Sequence, residues 1–293
     1  MDLVARAPRI PLAGQTLTGS DFTTTPGGKG ANQAVAVARL GYPVHIVGAV
    51  GQYVFGEALI ANLRAEGVDV SSVARVEGPS GVAPIAVTDS GENAIIVVPG
   101  ANGRVTPESI DHNADLVRSA GMVLCQLELP IETVAHTVSL CAQAGVPVML
   151  DPAPAAPLPE SLFSQLAWFT PNETEAELYA PGAATPEAAA QQLLARGLHG
   201  VVLKRGSHGS LVATAGQPAA TVPAFPVTAI DTVAAGDCFN GAFAVALLEG
   251  LDPLAAARFA SAAAAISVTR HGAQASMPTR AEVDALLRAP ASA

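Results

Sequence analysis

From residue 99 onward the chain alternates helical stretches with short apolar runs, and few architectures can accommodate that pattern. Helical periodicity covers 106–118, 131–144 and 185–196. The apolar runs are "MVLCQ" (122–126), "VPVML" (146–150) and "GVVLK" (200–204). Short buried strands separated by helices predict a doubly wound, mostly parallel α/β sheet with helices on both faces. An earlier pair fits the same scheme, helix 30–40 followed by "VHIVGAV" at 44–50. Two segments break it. Residues 3–25 lack a helical period, and 82–98 read as a hairpin around Ser90-Gly91, so about 3–25 and 82–98 are expected to form a small antiparallel β lid within one domain, 1–293.

In an open parallel sheet, ligands bind beyond the carboxyl ends of the strands. Polar clusters fall at those ends: "QLE" after 122–126, "DPAP" after 146–150, "TPNETE" after "AWF", and "KRGSHG" after "VVL". Composition narrows the ligand. A formal charge of −10 argues against nucleic acid and anionic membrane as partners, both of which need basic surface. No apolar run reaches membrane-spanning length, and the start shows no cationic region leading into an apolar one. The three cysteines are widely spaced and read as reduced thiols, pointing to a cytoplasmic location. Of the fifteen basic residues only Lys29 and Lys204 are lysines, and both sit in glycine-rich turns, as a polyanion site would arrange them.

"DTVAAGDCFNGAF" (231–243) sets a carboxylate, Asp237, where a helix begins. Two readings are open. An aspartate there can cap the orphan N–H groups, or it can be a base beside an anion site formed by those same groups. "PGGKGANQ" is neither a Walker A loop, since Gly30 follows Lys29 where Ser or Thr is required, nor a dinucleotide fingerprint, since Gln33 replaces the third glycine. What remains is a glycine turn with exposed amides, a cation and Asn32 opening a helix. In "TPNETEAE" the spacing of Asn172 and Glu175 is that of a capping box, which is compatible with a second role in ordering Mg²⁺ through water.

Taken together, "GGKGANQAVA" (27–36), "GANGRVTPE" (100–108), "QLELP" (126–130), "DPAPAAPLP" (151–159), "TPNETEAE" (170–177), "DTVAAGDCFNGA" (231–242) and "VTRHGAQASMP" (268–278) resemble the ribokinase-like (PfkB) carbohydrate kinases over nearly the whole chain. "DTVAAGD", with Ala-Ala where much of the family has Gly-Ala, is similar to the ribokinase subgroup. The resemblance implies transfer of the ATP γ-phosphoryl to the 5-hydroxyl of D-ribose. Asp237 would be the base, with Ala234, Ala235 and Gly236 forming the anion hole. Asp2, Gly28, Lys29, Gly30, Ala31, Asn32 and Glu128 would hold the sugar. Asn172, Lys204, Arg205, Gly206, Ser207, His208, Gly209 and Ser261 would border ATP, and Glu175 would help order Mg²⁺. An activating K⁺ would be held by the backbone of Asp231, Val233, Ser267, Arg270 and Gly272 with the Ser276 hydroxyl. The lid would form a homodimer interface.

The resemblance leaves a kinase of deoxyribose or a nucleoside, or a non-catalytic sugar-binding relative, as alternatives. Three positions depart from the pattern. Lys204 stands where ribokinases often carry Thr, and Ser261 where Asn or His is frequent. The family's first, central strand ends in G-S-x-N-x-D, whereas this sequence opens at its last two positions, Met1-Asp2. An apolar seam inside the sheet is therefore expected, with Asp2 on a mobile terminus.

Overall fold

The computed structural model describes residues 1–289. The strands are β1 (Asp2–Ala7), β2 (Asp21–Thr25), β3 (Gly48–Gly51), β4 (Val73–Val76), β5 (Ala83–Thr88), β6 (Asn93–Ile95), β7 (Val123–Cys125), β8 (Val148–Leu150), β9 (Trp168–Phe169), β10 (Gly200–Lys204), β11 (Ser210–Thr214) and β12 (Ala220–Val222). The helices are α1 (Lys29–Arg39), α2 (Val54–Ala65), α3 (Pro107–Asp111), α4 (Ala114–Ser119), α5 (Ile131–Ala144), α6 (Glu160–Phe163), α7 (Glu173–Tyr179), α8 (Pro186–Ala195), α9 (Ala235–Leu248), α10 (Pro253–Ser267) and α11 (Arg280–Arg288).

The main sheet runs β12-β11-β10-β9-β8-β7, parallel from β7 to β10 and antiparallel from β10 to β12. Side chains alternate across each strand, and this divides the interior into two layers. Met149, Val202 and Val212 join the cluster with α1, α9 and α10. Their neighbours Leu150, Val201, Leu203 and Leu211 join the other cluster, with α5 and α8. The expected two-faced α/β architecture is present.

Helix α9 explains how the layers converge on one point. Its sequence, "AGDCFNGAFAVALL", is apolar or small almost all round, and residues 237–246 are all buried, as expected of a central helix. Gly241 lets α1 come close: a Cβ there would lie 2.8 Å from Ala36 Cβ and 2.9 Å from the Gln33 carbonyl. Asp237 stands one turn before Gly241, and Asn32 and Gln33 one turn before Ala36 and Val37. The close approach thus brings carboxylate and amides together.

Four expectations need correction. The lid, in the order β2-β1-β5-β6, is mixed and not purely antiparallel, because β1 and β5 run parallel. Asp2 is not on a loose end, since it pairs with Thr25 on one side and Ala83 on the other. The helix expected over 106–118 is broken at His112–Asn113, where the Asn113 side chain bonds the Ser109 carbonyl and competes with helix continuation. The apolar run 44–50 forms a strand only from Gly48, joined upstream by the single bridge His45–Asp69.

β3 and β4 form a separate two-stranded parallel pair. Between β3 and β7 runs a cavity of about 590 Å³ lined by residues 44–50 on one side and 122–126 on the other. Gly28, Gln33 and Glu128 line the same cavity.

Candidate active site

The mouth of α9 bears on the two readings of Asp237. The helix has no side-chain cap, so the carboxylate is not spent on its own backbone. It turns instead to α1: Asn32 Nδ2 donates to Asp237 Oδ2 at 2.9 Å, and Gln33 Nε2 donates to Oδ1 at 3.2 Å. Asp237 is 4% exposed. Burial pushes its carboxyl above the usual carboxylate range, while Lys29 and the two amide donors act against that rise.

The turn before it is strained. Ala234 lies in the left-handed region at φ 59°, the only non-glycine residue to do so among the described residues, at a cost of about 1–2 kcal/mol. The following residues, Ala235 and Gly236, begin the helix. Ala235 N donates to Thr232 O at 3.3 Å, and with no side-chain cap on the next N–H groups the helix mouth can attract an anion. Lys204 is aimed at it, with its Nζ 3.5 Å from where a Gly236 Cβ would be.

The glycine turn 27–30 is docked on three acidic or amide side chains. A Cβ at Gly27 would collide with the Asp2 carboxylate, which only glycine permits so close. The Lys29 N–H donates to Glu128 Oε2 at 2.9 Å. Gln126 Oε1 would lie 3.0 Å from a Cβ on Gly30. Asp2, Gly28, Gly30, Ala31 and Glu128 therefore line the cavity together, with the Lys29 N–H bonded to Glu128 and the Asn32 amide to Asp237. Burial raises the carboxyls of Asp2 and Glu128. Burial alone would depress Lys29, but Asp237, Asp151, Glu128 and Glu175 outweigh it and hold its ammonium firmly charged.

On the far side of the α9 mouth, Asn172 and Glu175 form the expected capping box. Asn172 N and Nδ2 donate to the two Glu175 oxygens at 2.8 and 3.0 Å, and Glu175 N returns a bond to Asn172 Oδ1 at 2.8 Å. Each carboxylate oxygen keeps a second lone pair, which fits an Mg²⁺ held through water. Burial raises Glu175, with Lys204 opposing. Arg205, Gly206, Ser207, His208 and Gly209 form the tight connection from β10 to β11, closed by Arg205 N donating to Gly209 O at 2.8 Å. Gly206 and Gly209 both have positive φ. Ser261 lies apart from that turn, buried within α10.

The 230s and 270s loops are tied by Asp231, whose carboxylate accepts from Val233 N and Gly272 N, both at 2.9 Å. The carbonyls of Asp231, Val233, Arg270 and Gly272 accept no hydrogen bond among the described residues, whereas Ser267 O accepts from Arg270 N. The Ser276 hydroxyl donates to Ala273 O at 2.8 Å and retains its lone pairs. These oxygens suit a weakly hydrated monovalent cation. Among the described residues no cluster of three or more His, Cys, Asp or Glu side chains could by itself hold a metal ion.

Sequence reasoning missed four residues. Lys204 Nζ pairs with Asp151 Oδ1 at 2.8 Å, with Asp151 3% and Lys204 13% exposed at the side chain. Gln33 Nε2 also donates to Asp151 Oδ2 at 3.1 Å, and Gln126 Nε2 donates to Gln33 Oε1 at 2.7 Å. Gln274 Nε2 donates to Asn32 Oδ1 at 3.2 Å. The available signal was position, since Asp151 and Gln126 both follow strands of the parallel sheet.

The pfkB family carbohydrate kinase profile matches residues 1–280. The ribokinase of Bacillus subtilis is 44% identical, covering 98% of this chain and 96% of its own. The deoxyribokinase of Salmonella typhi is 38% identical over 95% of this chain and 93% of its own. The structure of Arabidopsis thaliana ribokinase complexed with ribose and ATP superposes with a TM-score of 0.93 at 35% identity, covering 99% of this chain and 96% of that one. With an uncapped helix mouth, a buried carboxylate and relatives matched along almost their entire lengths, this chain is a member of the pfkB family of carbohydrate kinases.

Proposed function

We propose that this chain is an ATP-dependent ribokinase that phosphorylates the 5-hydroxyl of D-ribose, acting as a single kinase domain with its lid built in. One observation carries the mechanism: Asp237 stands buried at an uncapped helix N-terminus, held by side chains of another helix rather than by its own backbone. As the sugar O5 bonds to the γ-phosphorus, the bond from that phosphorus to the β–γ bridging oxygen breaks and ADP leaves. The O5 proton passes to the free lone pair on Asp237. First-turn N–H groups of α9 and the Lys204 ammonium stabilise charge on the phosphoryl oxygens, the principal task in phosphoryl transfer. Asp2, Lys29, Asn32 and Glu128 orient the sugar.

Asn172, the 204–209 turn and Ser261 border the nucleotide in this reading. Mg²⁺, when bound, would supply charge neutralisation on the ATP phosphates, and Glu175 would help hold it through water. A K⁺ ion between the 230s and 270s loops would stiffen the strained Ala234 turn without touching substrate. The outward lid residues Phe22, Ile95, Ile96 and Val97 are 54–66% exposed, which supports a homodimer through the lid. Three unpaired cysteines accord with a cytoplasmic location.

The likeness to a deoxyribokinase supports a second reading, with 2-deoxyribose as acceptor. Assaying ADP release with Mg-ATP against ribose, 2-deoxyribose and a nucleoside panel separates the two. A site that bonds the 2-hydroxyl rejects the analogue lacking it by up to about 10⁴–10⁵-fold. Ribose is expected to be preferred; preference for deoxyribose or a nucleoside would overturn the assignment.

A further inference from the structure

One amide nitrogen lies between two buried carboxylates. Gln33 Nε2 has two hydrogens, and its acceptors are Asp237 Oδ1 at 3.2 Å and Asp151 Oδ2 at 3.1 Å. Gln33 is 2% exposed, Asp151 2% and Asp237 4%. Gln126 fixes which way the amide faces, by donating to Gln33 Oε1 at 2.7 Å. Asp151 is in turn the partner of Lys204, which points at the anion site. On the opposite oxygen of Asp237 a second chain of amides runs outward through Asn32 and Gln274 to Asn62 on α2.

We propose that Gln33 is a positioning residue that locks the Asp237 base to the Asp151–Lys204 pair and keeps its carboxylate ionised for proton abstraction. The proposal rests on the kinase reading above and assigns a role within it. Two aspartates held this close by one donor repel each other once the donor is lost, and a buried carboxylate without a donor takes up a proton more readily. The other charged groups facing Asp237 are Lys29 from α1, Glu128 beyond β7 and Asp151 beyond β8. On its own helix, the Cys238 thiol is pushed up to about 12 by burial and stays neutral. None of these can replace the Gln33 amide, because Lys29 acts on Asp237 through charge and makes no hydrogen bond to it in this structure.

The test is the pH profile of kcat/KM for the sugar at saturating Mg-ATP, in wild type, Gln33→Met, Gln33→Glu and Gln126→Met. Gln33→Met should move the acidic limb up by about one unit, the scale of one lost hydrogen bond to a charged group. Its rate should fall about tenfold below the limb and recover toward wild type above it, with KM little changed. Gln33→Glu adds a third carboxylate and should move the limb further up. Gln126→Met frees the Gln33 amide to turn and should shift the limb the same way by less. A loss uniform across pH, with limbs superposing on wild type, would show a packing role only and overturn the proposal. Should Gln33→Met fail to fold, an unshifted limb in Gln126→Met does the same. Absence of wild-type turnover on ribose counts against ribose as the acceptor alone. The profiles are then recorded on whichever acceptor in the panel the wild type does phosphorylate.

Discussion

The two sides of the α9 mouth are built on opposite principles. On one side, Asn172 and Glu175 hold each other three residues apart on an exposed helix start, and the 205–209 turn closes on itself. On the other side, Asp237 is held by partners 204 and 205 residues away, and Asp151 by partners 53 and 118 residues away, with only Lys204 partly in contact with water. A local, solvated device can be altered at the cost of its own bond. A buried network cannot, because every deletion strands a polar group elsewhere.

Lys204→Met should therefore have the larger structural effect. It leaves Asp151 as an uncompensated buried charge, and removal of one partner from such a pair costs about 3–5 kcal/mol. Urea unfolding would measure this. Adding Asp151→Leu to the same chain should restore much of the stability, because the stranded charge goes with it. If the single substitution costs less than about 1 kcal/mol, the two sides do not differ as described.

Asn172→Ala probes the exposed side. Loss of its cap should cost about 1 kcal/mol, and the same unfolding experiment checks it. A cost matching that of Lys204→Met would erase the contrast.

The smallest expected effect is at Glu282. The Arg270 guanidinium, helped by the Thr279 N–H, holds this carboxyl down from 4.5 to about 2. A depressed folded-state value means the pair's stabilisation is complete above about 4.5 and is lost as pH falls toward 2. Both side chains are over a third exposed, at 37% and 40%, so the contribution should stay below about 1 kcal/mol. Glu282→Gln should be slightly less stable than wild type at pH 7, with the difference gone near pH 2. A difference that persists at pH 2 would contradict the sign.

The same contrast explains what could be read from the sequence. The capping box was legible because its partners share one turn of chain. The alternating strands and helices were legible because side-chain periodicity is local, and residues 200–204 form β10 as expected. Asp237 was legible as a carboxylate at a helix start, but its choice of Asn32 and Gln33 over its own backbone was not. That choice depends on Gly241 admitting α1, a packing event between distant segments. Gln33 itself served only to exclude a dinucleotide motif, since nothing near it in sequence reveals that two aspartates meet there. The order within the lid was hidden for a similar reason: β1 pairs in parallel with a strand some eighty residues on.

The central claim is that Asp237 takes the sugar proton, and turnover of Asp237→Asn with Mg-ATP and ribose tests it most directly. Asparagine keeps the shape of the side chain and removes the base, so kcat should fall by about two to four decades. Ribose binding, followed by calorimetry, should remain within a few-fold of wild type. Turnover within tenfold of wild type would contradict the account.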